Sequence, residues 1–103
     1  MNRSLIDTLA SSVSRLAAER VEAQFVPAET RVLRRLIDLA KVYGGAIAGT
    51  VITVRQEDLA SLAGTSRATV NHVLRGAAKA GVITLSRSRI EIVDAEELTR
   101  RAR

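Results

Sequence analysis

The sequence QEDLASLAGTSRATVNHVLRGAAKAG, residues 56–81, predicts two short amphipathic helices joined by a tight turn. The first helix has one apolar face, made of Leu59, Leu62 and Ala63. The second helix has another, made of Val70, Val73, Leu74 and Ala77. Between them, Gly64 can adopt the left-handed conformation that ends a helix, and either Thr65 or Ser66 can cap the next one. Two helices with so short a connection cross at a steep angle, as in a helix-turn-helix unit.

The composition indicates a single small domain with an aliphatic core. The chain has 103 residues, of which 47% are hydrophobic, and its only aromatic residues are Phe25 and Tyr43. So few aromatics argue against a stacking surface for single-stranded nucleic acid. The absence of cysteine excludes disulfides and thiolate metal sites. No long apolar run or export leader is visible, so no membrane association is expected and the cytoplasm is the expected location.

Nothing in the sequence favours an enzyme. It has one histidine, no cysteine and no glycine-rich phosphate loop, and its acids are scattered rather than paired near a base. We therefore expect no catalytic residues, no cofactor and no metal site.

The positive charge is concentrated in one segment. The chain has a formal net charge of +5. Residues 64–90 contain no acid and five bases, namely Arg67, Arg75, Lys79, Arg87 and Arg89. A basic footprint confined to one region is what the phosphate backbone of a nucleic acid attracts.

Residues 4–25 are predicted to form one long helix. Its seam residues recur at heptad spacing and are Ile6, Leu9, Val13, Leu16, Arg20 and Ala23. The seam is either the interface of a parallel homodimer or the inner face of a helix packed on its own domain. Since Pro27 breaks this helix, we expect one unit over residues 1–26 and a second over residues 27–103.

The flanking segments complete a winged helix. Pro27 suits the start of a helix over residues 28–43, whose arginines are expected to lie on a solvated face. That helix has a broad apolar face: Val32, Leu33, Leu36, Ile37, Leu39 and Ala40. Residues 46–48 and 51–54 predict a small hairpin, and residues 82–85 and 89–93 predict a second. Asp94 is a candidate cap for a last short helix. The predicted fold is mainly α with small β-hairpins, a winged helix-turn-helix preceded by a long dimerisation helix.

The second helix of residues 56–81 has a polar side suited to DNA. On a helical wheel this side consists of Arg67, Ala68, Asn71, His72, Arg75 and Lys79. In a major groove, an arginine can donate two hydrogen bonds to guanine, and an asparagine can pair with adenine. The hydroxyls of Ser66 and Thr69 suit phosphate oxygens, and Arg87 and Arg89 can contact the flanking backbone.

Several of these positions remain open. Asn71 either contacts a base or simply faces solvent, and Arg75 and Lys79 are either backbone contacts or solubility charges. His72 is better explained as a polar residue facing the groove than as a metal ligand, because no second histidine or cysteine accompanies it.

The chain resembles the DNA-binding domain of the Crp/Fnr family of transcription regulators. The resemblance is carried by RQEDLASLAGTSRATVNHVL at residues 55–74, with its Gly-x-Ser-Arg-x-Thr-Val turn and recognition helix, and by GVITLSRSRIEIVD at residues 81–94 as the wing. It extends upstream to Phe25, Pro27 and LIDLAK at residues 36–41, and covers the chain from about residue 4 to residue 99.

The resemblance implies roles for single residues. Arg67 would read guanine, and Ser66, Thr69 and Arg55 would contact phosphates. Two positions depart from the pattern, since Ala68 stands where many members carry a glutamate and His72 where many carry a second arginine. The half-site should therefore differ from the best-known one. Ser88 stands where many wings have glycine.

The resemblance also implies partners. It favours a homodimer on a two-fold site in double-stranded DNA, and residues 43–49 lie near the surface that some activators in the family present to RNA polymerase. Members usually carry an N-terminal β-roll for a cyclic nucleotide, and this chain has no such site, being either a fragment or a regulator without a sensor. The sequence thus predicts a sequence-specific DNA-binding transcription regulator with its recognition helix over residues 66–75. The alternative is a winged-helix interaction module without specific DNA binding.

Overall fold

A computed structural model describes residues 26–103 and shows the predicted winged helix-turn-helix. Within these residues the elements follow the order α1 (Ala28–Tyr43), β1 (Val51–Thr53), α2 (Gln56–Ala63), α3 (Arg67–Lys79), β2 (Ile83–Ser86), β3 (Arg89–Ile92) and α4 (Ala95–Arg101). The helix predicted over residues 4–25, and with it the dimer seam from Ile6 to Ala23, lies outside the described residues.

Helix α1 is central to the core. Its inner face is fully buried and consists of Val32, Leu33, Leu36 and Ala40. This face lies against α2, α3, α4 and β1. Ile37 and Leu39, which the sequence placed on the same face, are only partly buried at its margins. The domain is therefore held together by aliphatic packing around one helix, and α3 is anchored in that packing.

The arginines of α1 do not all lie on a solvated face. Arg35 is exposed and pairs with Asp38 at 2.6 Å, as expected of a surface residue. Arg34 is exposed as well, and its Nε donates to the carbonyl of Ala102 at 2.8 Å. Arg31, in contrast, is half-buried, and it donates to carbonyls before α1 and at the C-terminal end of α2. The prediction was wrong for Arg31, because the open carbonyls of a neighbouring helix end attract its guanidinium donors.

The three strands form one antiparallel sheet in the order β1-β3-β2. The hairpin predicted from residues 82–85 and 89–93 is confirmed as β2 and β3, and Ser86 pairs with Arg89 at its tip. The hairpin predicted from residues 46–48 and 51–54 is wrong: residues 46–49 form turns, and β1 pairs with β3, with Val51 opposite Glu91. The stretch 46–48 is short and lies between glycines of positive φ, whereas β3 offers a regular edge with buried Ile90 and Ile92.

The turn between α2 and α3 is closed by a Schellman motif. Gly64 is left-handed, with φ 67° and ψ 42°, and its N–H donates to Ser61 O at 3.3 Å while the N–H of Thr65 donates to Ala60 O at 3.0 Å. Of the two caps that the sequence left open, Ser66 caps α3, since its Oγ accepts the N–H of Thr69 at 3.1 Å.

The buried face of α2 differs from the predicted one. Leu59 and Ala63 are buried as expected, together with Ala60, but Leu62 is 54% exposed. An α-helix turns by about 100° per residue, which places Ala60 and Ala63 on one side of Leu59 and Leu62 on the other. Because the core lies on the side with the alanines, Leu62 faces solvent.

We expect Gly64→Ala to lower the free energy of unfolding by about 1–2 kcal/mol, because a Cβ atom is disfavoured in the left-handed region. No atom lies within 4 Å of the added Cβ, so the cost is purely conformational. The matched control is Gly76→Ala in the interior of α3, where the space is equally open and φ is not positive. That change should raise the stability by about 0.5–1 kcal/mol. Urea unfolding of both variants measures the difference, and equal shifts would contradict the assigned turn.

The last helix has a charged cap at its N-terminal end and two ion pairs along its own surface. Asp94 caps α4 as predicted, accepting the N–H of Glu97 at 3.0 Å. Hydrogen bonds from Arg100, and to a lesser extent from Arg101, lower the pKa of the Glu97 carboxyl.

Among the described residues, no helix combines the length and apolar character needed to span a membrane.

Candidate nucleic-acid interface

Helix α3 has one side anchored in the core and one side free. Its buried residues are Val70, Val73, Leu74 and Ala77, as the sequence predicted. Its exposed residues include four of the predicted contacts, Arg67, Ala68, His72 and Arg75. Thr69 and Asn71 lie between these two faces and are partly buried. The helix can therefore present its polar side to a ligand without loss of packing.

The N-terminal end of α3 suits an anion. No acidic residue lies in its first turn, so the helix dipole and the free N–H groups are unopposed there. The Ser66 hydroxyl bridges to Thr69, with 3.0 Å between Oγ and Oγ1, while also accepting the N–H of Thr69. Because Ser66 uses its hydroxyl inside the cap, Thr69 is the one of the pair whose hydroxyl proton is left for an outside acceptor.

The tertiary structure brings three predicted arginines together. Arg55 at the start of α2, Arg67 on α3 and Arg87 on the wing line one cleft of about 400 Å³. Gln56, Glu57 and residues 85–88 complete its walls. Asn71, Arg75 and Lys79 line a second, shallower groove together with Leu85. The wing residue Leu85 lines both the cleft and the groove, so that basic residues lie on either side of it. A phosphate backbone could follow either side.

Arg55 is held by a weak contact. Its Nε lies 3.2 Å from the Asp58 carboxylate, and both side chains are more than half exposed. Exposed ion pairs of this kind contribute little free energy, at most about 1 kcal/mol. Arg55 can therefore exchange Asp58 for a phosphate at small cost.

The residue at the wing tip, Ser88, has the left-handed backbone conformation that glycine adopts most easily. Ser88 has φ 53°, the only positive φ at a non-glycine residue in the described part of the chain. Its carbonyl accepts the N–H of Val54 at 3.2 Å, which ties the tip to the strand β1 side of the sheet. Arg87 lines the cleft beside the tip, whereas Arg89 is exposed on the same face of β3 as Glu91. Of the two wing arginines, Arg87 is thus placed with Arg55 and Arg67.

The structure adds one residue that sequence reasoning missed. Arg31 of α1 contacts the turn that precedes α3. The sequence around Arg31 did not indicate this contact, because its partners in the turn lie 32 and 33 residues away in sequence.

His72 is exposed on the surface of α3. Among residues 26–103, no three histidine, cysteine or acidic side chains lie together as metal ligands would.

Comparison with known proteins shows the same domain in relatives. The CRP-like cAMP-activated global transcriptional regulator of Mycobacterium tuberculosis is 33% identical over 106 residues, which covers 100% of this chain and 47% of that protein. The chain thus spans about half the length of the curated relatives it matches.

Two solved structures from Thermus thermophilus share the fold. The catabolite activator protein has a TM-score of 0.64 and 30% identity, over 97% of this chain and 41% of that chain. A transcriptional regulator of the CRP family from the same organism has a TM-score of 0.68 and 24% identity, over 97% of this chain and 50% of that chain. Residues 30–101 match the family model of the Crp-like helix-turn-helix domain. The chain therefore belongs to the Crp-like helix-turn-helix domain family.

Proposed function

We propose that this chain is the DNA-binding part of a transcription regulator and that α3 reads double-stranded DNA in the major groove. The observation that carries the proposal is the free polar side of α3, which starts at a capped, acid-free helix end and is flanked by a basic wing. An α-helix fits the major groove, where each base pair has its own pattern of donors and acceptors.

The proposed contacts divide into base readout and backbone contacts. Arg67, in the first turn of α3, donates to guanine O6 and N7, and Asn71 one turn later reaches the next base edge. Ala68 and His72 are the other exposed residues in the first two turns of α3, and in this proposal they distinguish the preferred half-site from that of relatives. The phosphate contacts come from Arg55, Ser66, Thr69, Arg75, Arg87 and Arg89, with Ser66 acting through its bridge to Thr69.

The proposed assembly is a homodimer on a two-fold site. Residues 1–26 form the dimerisation helix in this proposal, with the seam at Ile6, Leu9, Val13, Leu16, Arg20 and Ala23, and residues 27–103 form the DNA-binding domain. Two copies would place their α3 helices in successive major grooves, about 34 Å apart. A contact with RNA polymerase is proposed at residues 43–49, where Tyr43 and Ile47 are exposed. The expected site of action is the cytoplasm, where bacterial DNA lies.

Salt titration of duplex DNA binding tests the proposal. We expect the logarithm of the association constant to fall linearly with the logarithm of the salt concentration, with a slope of about −0.9 for each phosphate neutralised. Arg87→Ala should make this slope less steep by about 1. Arg35→Ala removes the same charge from α1, away from the cleft, and should leave the slope unchanged. A flat salt response, or no binding, would favour the interaction module instead.

Selection from random duplex DNA tests sequence specificity. The expected result is a pair of inverted half-sites separated by about one helical turn. Recovery of unrelated sequences would limit the protein to non-specific binding.

A further inference from the structure

Arg31, which lies outside the exposed polar side of α3, donates hydrogen bonds to three main-chain carbonyls. Its Nε donates to Ala63 O at 2.9 Å, its Nη2 donates to Gly64 O at 3.2 Å, and its Nη1 donates to Val26 O. One guanidinium thus joins the segment that leads into α1 to the turn between α2 and α3. The side chain is partly buried under this turn.

The turn needs a donor from elsewhere. The Schellman motif satisfies the carbonyls of Ala60 and Ser61, but the carbonyl of Ala63, the last residue of α2, has no partner within it. Helix α2 also has no basic residue in its last turn. Arg31 supplies both the missing hydrogen bond and the positive charge that the C-terminal end of a helix favours. The planar fork of arginine suits neighbouring carbonyls better than the single ammonium group of lysine does.

The position of this turn decides where α3 begins. Ser66, the cap of α3, lies two residues after Gly64, and Arg67 is the next residue. Because so few residues separate the two, a displacement of the Gly64 carbonyl would also displace the first turn of α3. Within the described part of the chain, the side-chain donor to Ala63 O and Gly64 O comes from α1, so their alignment rests on that helix.

We propose that Arg31 is a positioning residue for DNA recognition, which aligns the start of α3 by holding the carbonyls of Ala63 and Gly64 against the segment before α1. This inference rests on the proposed function, since it concerns the same reading helix. Arg31 does not contact DNA in this account. Its loss changes how well α3 fits the groove rather than how strongly the domain attracts phosphates.

Arg34 provides a matched control. It lies on the same helix and carries the same charge, and it also donates to a helix-end carbonyl, that of Ala102 after α4. That contact involves the last helix and not the turn. Arg31→Gln and Arg34→Gln therefore remove equal charge from the same helix. The first removes three hydrogen bonds, two of them to the turn, whereas the second removes one and leaves the turn intact.

The experiment compares binding of the chain and its variants to a selected duplex and to a random duplex of equal length, under conditions in which each protein is folded. We expect Arg31→Gln to weaken binding to the selected duplex on the order of tenfold, the value of about one base contact. Binding to the random duplex should change equally in both variants, because it depends on charge alone. Arg31→Lys, which keeps the charge and is the milder change, should still reduce the preference for the selected duplex.

Amide hydrogen exchange supplies a readout independent of affinity. The N–H of Thr69, which donates to Ser66 Oγ, should exchange faster in Arg31→Lys and at the original rate in Arg34→Gln. If Arg31→Gln and Arg34→Gln both retain the preference for the selected duplex, or lose it equally, Arg31 has only a structural role and the inference is wrong. If the unchanged chain itself shows no preference among duplexes, the proposed function fails and the inference fails with it.

Discussion

Replacing Leu74 with alanine is expected to lower the free energy of unfolding by about 2–5 kcal/mol, the range for a fully buried leucine in a core. Leu74 is 0% exposed and lies on the inner side of α3, which contacts α1, α2 and β2. The loss combines the transfer free energy of the removed carbon atoms with the cost of the cavity left behind. In a small domain this is a large share of a total stability of about 5–15 kcal/mol. Denaturant unfolding followed by circular dichroism measures the change.

Leu62→Ala is the matched control. Both leucines lie in the helix-turn-helix unit, and the sequence placed both on apolar faces, but Leu62 is 54% exposed. Its replacement removes little buried area and should change the stability by less than about 1 kcal/mol. Comparable losses in the two variants would mean that α2 packs by its other face and that the described core is wrong.

Replacing Arg67 with alanine is expected to weaken binding to a selected duplex by about 1–3 kcal/mol, or roughly 5- to 150-fold. Arg67 is exposed in the first turn of α3 and lines the cleft shared with Arg55 and Arg87. In the proposed contact Arg67 donates two hydrogen bonds to one guanine, and alanine would leave both guanine acceptors without a partner. We also expect the preference at one base pair of each half-site to relax. Fluorescence anisotropy on the selected duplex and its single-base variants measures both effects.

Arg35→Ala separates this loss from a general loss of charge. Arg35 is exposed on α1, paired with Asp38, and its replacement lowers the net charge by the same amount. It should leave affinity for the selected duplex close to that of the unchanged chain at moderate salt. Equal affinity of the Arg67 and Arg35 variants for the selected duplex would contradict the assignment of α3 as the reading helix.

The local features of the helix-turn-helix unit could be predicted from sequence. The left-handed Gly64, the cap Asp94 and the buried face of α3 all occur where the pattern placed them, and Ser66 is one of the two caps that the pattern allowed. Each depends on residues that are close neighbours along the chain, so the sequence around it contains the full physical cause.

The failures involve partners that are distant in sequence. Residues 46–48 were predicted to pair with β1 because they are its neighbours along the chain, but β3, which pairs Glu91 with Val51, offers the better edge. Leu62 was placed in the core because its spacing from Leu59 is helical, but the packing of the whole domain decides which side of a short helix is covered.

The sequence by itself determined the four described helices, the cap Asp94, the wing hairpin, the basic segment of residues 64–90 and the polar side of α3, because helical periodicity, capping and charge are properties of neighbouring residues. Only the tertiary structure decided the partner of β1, the meeting of Arg55, Arg67 and Arg87 in one cleft, and the hold of Arg31 on the turn. Strand edges and open carbonyls are satisfied by whichever donors the packing of α1 brings within reach, and that packing is a property of the whole domain.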